Sequence, residues 1–246
     1  MQSASDIYKP DNVPLYEAIY GENLISLGGV GAINNMFSDV DLKGLKALDI
    51  GFGLGGVAFY LAKKYHIEVS GVEIHDWMVD YAKEQAPKEI AHLLTFATYN
   101  QSGEIPFETA SFDLVYSKGV LNHVRDKNSL FCEINRVLKT DGLFVVADWI
   151  YPEASSDDSS PLVNESEESY RQVLKNAGFK DILFRNDSHI FLRFVKKLLE
   201  KLTAHRTFLE KEFGDEMFST ILKDHKKLID DINHHRKFAT RIIAKK

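Results

Sequence analysis

The decapeptide Ala47-Leu48-Asp49-Ile50-Gly51-Phe52-Gly53-Leu54-Gly55-Gly56 constrains this chain more than any other stretch. An apolar run that ends in Gly-x-Gly-x-Gly-Gly and passes into the helical pattern Val57 to Tyr65 reads as strand, tight turn and helix. Glycines at such a turn let a ligand approach the main chain where a Cβ would block it.

Three readings of the turn stand side by side. It is a glycine turn with no ligand; or, as Gly51-x-Gly53-x-x-Gly56 with acidic Glu73 downstream, it is a dinucleotide fingerprint for NAD(P) or FAD; or it holds a nucleoside with a cationic tail. Asp49 favours the last. A carboxylate just before the turn would repel a pyrophosphate, whereas the methionyl end of S-adenosylmethionine carries an ammonium and a sulfonium. Glu73 ends the apolar strand Glu68 to Val72, where it can accept hydrogen bonds from ribose hydroxyls of either cofactor.

From residue 46 onward short apolar runs alternate with helical patterns, the signature of βαβ units and a parallel sheet covered on both faces. Strands are expected near 46–50, 68–73, 93–97, 112–116, 142–149, 179–184 and 238–244. Helices are expected near 55–65, 76–86, 127–138 and 165–177, with two short ones earlier at Pro14 to Tyr20 and Val30 to Val40. Ser188 to His235 reads as two long helices broken at Gly214-Asp215. The fold class is therefore α/β: a Rossmann-like, seven-stranded, mostly parallel sheet with helices on both faces. One domain is expected over 1–246, divided into an N-terminal helical lid (1–44), a core (45–186), a helical lid insertion (187–235) and a terminal strand (236–246).

In such sheets ligands bind beyond the carboxyl ends of the strands. Gly51, Gly53 and Gly55, then Glu73, then Asn100 with Gln101, and Ser117 to His123 all follow strands on that edge. His123 is the histidine to watch, as a general base. The others, His66, His75, His92, His189, His205, His225, His234 and His235, are assigned to polar or helical surfaces. Tyr8, Tyr16 and Tyr20 make the entry to the chain aromatic.

A net charge of −6 over 246 residues gives no electrostatic footprint for nucleic acid. No apolar run reaches the length of a membrane span, and Met1 to Asp11, which lacks the basic and apolar blocks of a signal peptide, is not expected to be one. The single cysteine, Cys132, lies in a helical pattern and reads as a buried structural thiol. A cytoplasmic location, a small-molecule partner, no nucleic acid or membrane partner, a monomer or homodimer, and no metal-ligand spacing complete the expectations.

The element order and the Asp-x-Gly-x-Gly-x-Gly turn resemble a class I S-adenosylmethionine-dependent methyltransferase over about residues 45–150. A narrower likeness covers nearly the whole chain. Tyr8, the block Leu15-Tyr16-Glu17-Ala18-Ile19-Tyr20-Gly21-Glu22-Asn23-Leu24-Ile25-Ser26-Leu27-Gly28-Gly29 and the glycine turn resemble the phosphoethanolamine N-methyltransferases. The resemblance implies a catalytic latch of Tyr8 and His123 over the cofactor. It also implies cofactor contacts from Ile25, Ser26, Asp49, Gly51, Glu73 and Ile74, with Ile74 against the adenine.

Other positions depart from that pattern. The family's adenine-reading acid falls on Asn100, whose amide carbonyl can still accept the same N–H. Its phosphobase-binding acid falls on Gly119, and a tyrosine after the fifth strand falls on Trp149. The cluster that grips phosphate has no counterpart in 151–164, where Asp157 and Asp158 would repel it.

The expectation is thus methyl transfer from S-adenosylmethionine, leaving S-adenosylhomocysteine, to a small amine. His123 and Tyr8 are catalytic; Gly53, Gly55, Asn100, Gln101 and Ser117 join the cofactor set; Trp149 and Tyr16 meet the acceptor, Trp149 and Tyr8 offering π-faces to a methylated cation. O-methylation of a small hydroxylated molecule and cofactor binding without catalysis are the alternatives.

Overall fold

A computed structural model describes residues 8–100, 103–155, 160 and 162–246. Two short helices come first, α1 (Val13–Tyr20) and α2 (Gly29–Met36), followed by β1 (Lys46–Ile50), α3 (Gly56–Tyr65), β2 (Glu68–Glu73), α4 (Asp76–Gln85) and β3 (Leu94–Thr98). The second half holds β4 (Phe112–Lys118), α5 (Lys127–Val137), β5 (Leu138–Ile150), α6 (Glu167–Asn176) and β6 (Lys180–Asn186). Three helices, α7 (Ser188–Ala204), α8 (Arg206–Phe213) and α9 (Asp215–Asn233), lead to the last strand, β7 (Phe238–Lys245).

The seven strands lie in the order β3-β2-β1-β4-β5-β7-β6. β3 to β5 pair in parallel, while β7 runs antiparallel to both β5 and β6. Chain direction across the sheet reverses between β1 and β4, which opens a crevice at their carboxyl ends.

Alternation in β1 and β4 builds both cores. Leu48, Ile50 and Val115 pack with Phe131 and Phe144 on one face; Ala47, Leu114 and Tyr116 pack with Ala58, Leu61 and Val145 on the other. Truncating a leucine such as Leu48, which is 0 % exposed, costs about 2–5 kcal/mol in cores of this kind. Asp49 stands opposite Tyr116 across the β1–β4 ladder, so a carboxylate is carried into the crevice by a strand that is otherwise apolar.

Glycine is required where the N-terminal block meets the turn. Gly56 donates its N–H to the Asn23 carbonyl at 3.0 Å, and a Cβ on Gly56 would lie 2.4 Å from that oxygen. The Glu17 carboxylate accepts the Asn23 N–H at 2.8 Å and the Tyr81 hydroxyl at 3.2 Å. The loop between α1 and α2 is thereby clamped to both α3 and α4.

Several expectations need correction. The segment after β6 forms three helices rather than two, with an added break at His205, whose Nδ1 lies 2.9 Å from the Lys201 carbonyl. The second short helix stops at Met36, and β5 begins at Leu138 rather than 142. Cys132 is exposed: Leu130, Phe131, Ile134 and Val137 define the buried face of α5, and Cys132 sits on the opposite one. His225 is buried, with Nε2 3.4 Å from the Tyr20 hydroxyl.

The three helices after β6 pack onto the N-terminal ones. Leu198, Leu202, Leu209 and Phe218 form a third core with Leu15 and Ile19. Among the described residues no helix is long and apolar enough to cross a membrane, and no cluster of acidic, histidine or cysteine side chains could hold a metal.

Candidate active site

A cavity of about 430 Å³ opens at the carboxyl ends of β1, β2 and β4, a size usual for small-molecule and cofactor pockets. The structure brings Asp49, Gly51, Glu73 and Ile74 to its wall, with Ile25 and Ser26 from the loop before α2. Tyr8 and His123 line the same space. Gly51 has φ +73°, and a Cβ there would lie 2.6 Å from Val120 Cγ1, so this glycine is demanded by both backbone and packing.

Asp49 is 2 % exposed, and its Oδ2 has no hydrogen-bond partner. Burial lifts its pKa to about 8; the Glu73 charge adds to the rise, while Lys118 and the nearby Tyr116 hydroxyl oppose it. A buried carboxylate oxygen left without a donor costs free energy that a cationic ligand would recover.

Glu73 is held in place by backbone donors. Oε2 accepts the Gly53 N–H at 3.1 Å; Oε1 accepts the Ile74 N–H at 2.7 Å and the His75 N–H at 3.4 Å. Each carboxylate oxygen keeps acceptor capacity for a hydroxyl.

Lys118, which sequence reasoning missed, reaches the cavity from the end of β4. Its ammonium donates to Ser26 Oγ at 2.5 Å and to the Leu27 carbonyl at 3.2 Å, leaving one N–H for a ligand. Burial pulls its pKa down to about 8, against the charges of Asp148 and Asp49. The only signal in sequence was a lysine following the Tyr116-Ser117 pair.

The Tyr8 hydroxyl lies 3.5 Å from His123 Nε2. Burial pushes the Tyr8 pKa up to about 12, with Tyr16, Glu73 and Asp148 adding to it, so the hydroxyl stays protonated. Burial alone lowers the pKa of His123. The short turn Leu121–His123 that carries the imidazole is anchored by Asp148, whose Oδ2 accepts the Leu121 N–H at 2.8 Å and the Asn122 N–H at 3.3 Å.

The remaining expected residues lie elsewhere. Gly53 and Gly55 shape the turn rather than line the cavity. Gly55 caps α3 with φ +89°. Ser117 is fully buried inside β4 and donates to the Ile50 carbonyl at 3.0 Å, so it locks two strands together. Asn100 is exposed, and Tyr99 lines the cavity in its place. Gln101, Asp157 and Asp158 lie outside the described residues. Tyr16 is buried on α1 and does not reach the cavity wall. Trp149 also lies away from it, packed edge-on against Phe191 at 5.6 Å, with the Lys237 ammonium 4.6 Å from its ring. The face expected to receive an acceptor cation thus carries a cation of the chain's own. His75, assigned to a surface, lines the cavity beside Tyr8.

The sheet order, the glycine turn and the acid before it are those of a Rossmann-like methyltransferase fold, and residues 48–146 match the model of the family described as a methyltransferase domain. Within that fold the chain is similar to the phosphoethanolamine N-methyltransferases. The enzyme of that name from Triticum aestivum is 29 % identical over 230 residues, 87 % of this chain and 44 % of that one. The one from Plasmodium falciparum (isolate 3D7) is 29 % identical over 241 residues, 89 % of this chain and 88 % of that one. Phosphoethanolamine N-methyltransferase 2 of Haemonchus contortus, solved with phosphomonomethylethanolamine and S-adenosylhomocysteine, superposes with a TM-score of 0.88 at 25 % identity, covering 98 % of this chain and 58 % of that one. A sarcosine/dimethylglycine N-methyltransferase of Aphanothece halophytica is 27 % identical over 219 residues, 85 % of this chain and 76 % of that one. The chain spans about half the length of the plant relatives it matches.

Proposed function

We propose that this chain binds S-adenosylmethionine in the cavity beside Gly51 and transfers its methyl group to the nitrogen of a small-molecule amine. The observation that carries the reading is that one cavity is lined both by Asp49, whose buried Oδ2 has no hydrogen-bond partner, and by the Tyr8–His123 pair. The residues fit the cofactor chemically: Asp49 answers an ammonium or sulfonium, Lys118 a carboxylate, Glu73 ribose hydroxyls, and the exposed Ile74 side chain offers an apolar face to a base. Ile25, Ser26 and Gly51 complete the contacts. When bound, S-adenosylmethionine supplies a methyl group on a sulfonium that leaves as a neutral thioether, so the protein's task is alignment and exclusion of water.

An amine attacks only as its neutral form. His123, its pKa held below the ordinary histidine value by burial, is uncharged at neutral pH and receives the proton by relay, the ammonium proton passing to the Tyr8 oxygen as the Tyr8 hydroxyl proton passes to Nε2. The Tyr8 hydroxyl, protonated at every working pH, orients that nitrogen. The acceptors in the names of the relatives, phosphoethanolamine, sarcosine and dimethylglycine, are all amines that carry an anionic group, which favours nitrogen over oxygen as the atom methylated here. The segment 8–44 and the insertion 187–235 act as lids over the core that begins at 45, and 236–246 completes the sheet. A cytoplasmic protein, monomeric or homodimeric and without a nucleic-acid or membrane partner, goes with this reading.

The test is titration with S-adenosylhomocysteine by calorimetry, followed by transfer of labelled methyl from S-adenosylmethionine to phosphoethanolamine, sarcosine and a series of simple alcohols. Binding with label on an amine is the expected result. Label only on an alcohol would make the protein an O-methyltransferase, and binding with no transfer to any acceptor would remove catalysis from the account.

A further inference from the structure

Tyr8 is held between two histidine rings, and the catalytic reading uses only one of them. Its ring centroid lies 6.0 Å from that of His123, edge-on at 75°. It lies 5.9 Å from that of His75, tilted by 39°. His75 belongs to the turn after β2, directly ahead of α4, and lines the same cavity.

The backbone of that turn is pinned by Glu73: Oε1 accepts the N–H groups of Ile74 at 2.7 Å and of His75 at 3.4 Å. The other oxygen accepts the Gly53 N–H at 3.1 Å. One carboxylate therefore fixes the glycine turn after β1 and the seat of the His75 ring together. The contact between Tyr8 and His123 is long for a hydrogen bond, at 3.5 Å, and steers the phenol weakly by itself. A second aromatic face limits where the ring can go and adds to burial alone.

We propose that His75 is a positioning residue: its imidazole is the shelf against which the Tyr8 ring is set, so that the phenol hydroxyl meets His123. This rests on the reading of Tyr8 and His123 as the catalytic pair. Two turns, those after β2 and β4, then converge on one side chain from the N-terminal segment, and Glu73 ties the turn after β1 to the first of them. A nucleoside resting on Glu73 and Ile74 stiffens the seat of the shelf, so filling the cavity also fixes the latch.

The experiment compares the parent chain with His75→Ala, His75→Leu and His75→Phe by hydrogen exchange of the segment 8–20, with and without S-adenosylhomocysteine, alongside calorimetric affinity for that nucleoside. His75→Ala and His75→Leu are expected to bind S-adenosylhomocysteine within threefold of the parent and to exchange this segment about tenfold faster. His75→Phe, which keeps a flat ring, restores exchange to within threefold. Parental exchange in the Ala and Leu variants would overturn the proposal, as would a Phe variant as labile as Ala. The ligand-free proteins decide the shelf by themselves. Failure of the parent to bind S-adenosylhomocysteine would instead strike the functional reading, so the two failures are told apart in the unmutated chain.

Discussion

The buried carboxyl of Asp49, one oxygen of which lacks a hydrogen-bond partner, should make binding of S-adenosylmethionine a proton-releasing event, with a sign and a size that follow from the structure. Burial lifts its pKa to about 8 in the ligand-free protein, so the group is ionised to about 1 % at pH 6.0 and about 9 % at pH 7.0. A cationic ligand binds the ionised form. Affinity for S-adenosylmethionine should therefore tighten about tenfold over that unit of pH, close to 1.4 kcal/mol. Lys118, pulled down to about 8, stays charged through this window, and His123, already lowered by burial, changes little. Above about pH 8 the ligand's own amino group loses its charge and the gain ends.

Calorimetry at pH 6.0, 6.5 and 7.0 in buffers of different ionisation heat reads both the affinity and the protons released. Asp49→Asn should bind at least a hundredfold more weakly and with no such slope. The same pKa governs the empty protein. A carboxyl raised on folding contributes stability that is complete below the unfolded value near 3.8 and is lost as pH rises toward about 8. The urea midpoint of the ligand-free chain should therefore fall from pH 5 to pH 8, and fall less in Asp49→Asn. A pH-independent affinity with no proton release would refute the assignment of Asp49 as the cationic anchor.

Replacement of His123 by alanine should lower turnover by roughly 10²- to 10⁴-fold while S-adenosylhomocysteine affinity stays within threefold; parental turnover would remove the base from the mechanism. In the parent at saturating S-adenosylmethionine, where Asp49 is already ionised by its ligand, the rising limb of kcat against pH should fall below 6.5, since burial lowers His123, and a limb above 7 would assign it to another group. Gly51→Ala places a Cβ 2.6 Å from Val120 at φ +73°, which should cost about 1–3 kcal/mol in urea denaturation and weaken nucleoside binding; parental values for both would mean that the turn is not constrained as described. Gly119 also has a positive φ, +71°, but a Cβ there meets nothing nearer than Ser26 Cβ at 3.9 Å. Gly119→Asp should therefore fold, aspartate tolerating this conformation, and lower the KM for a cationic amine severalfold; an unchanged KM would place the acceptor elsewhere.

Most of the sheet was legible because hydrophobic period reports burial directly. β1 and β2 read as apolar runs since parallel strands are covered on both sides. The glycine turn was legible because its φ values and close contacts admit no other residue. What stayed hidden depends on tertiary choice. The break at His205 has no glycine or proline to mark it in the sequence. Ser117 follows the strand as expected, but β4 runs two residues further than its apolar pattern, which turns Ser117 inward and delivers Lys118 to the cavity. His75 carries no local signal at all; only the fold brings it against Tyr8.

The helical insertion hangs from the sheet by a narrow stem. β6 and β7 are paired up to Asn186 and Thr240, and one rung beyond, the Asp187 N–H meets the Ala239 carbonyl at 2.8 Å, so the chain departs into α7 and returns from α9 almost at the same point. Residues between can lengthen, shorten or change character without shifting the register of any strand. The helices α7 to α9, joined to the sheet at this stem and to α1 through their shared core, supply none of the residues that line the cavity, so their sequence can diverge while the glycine elbow stays as it is.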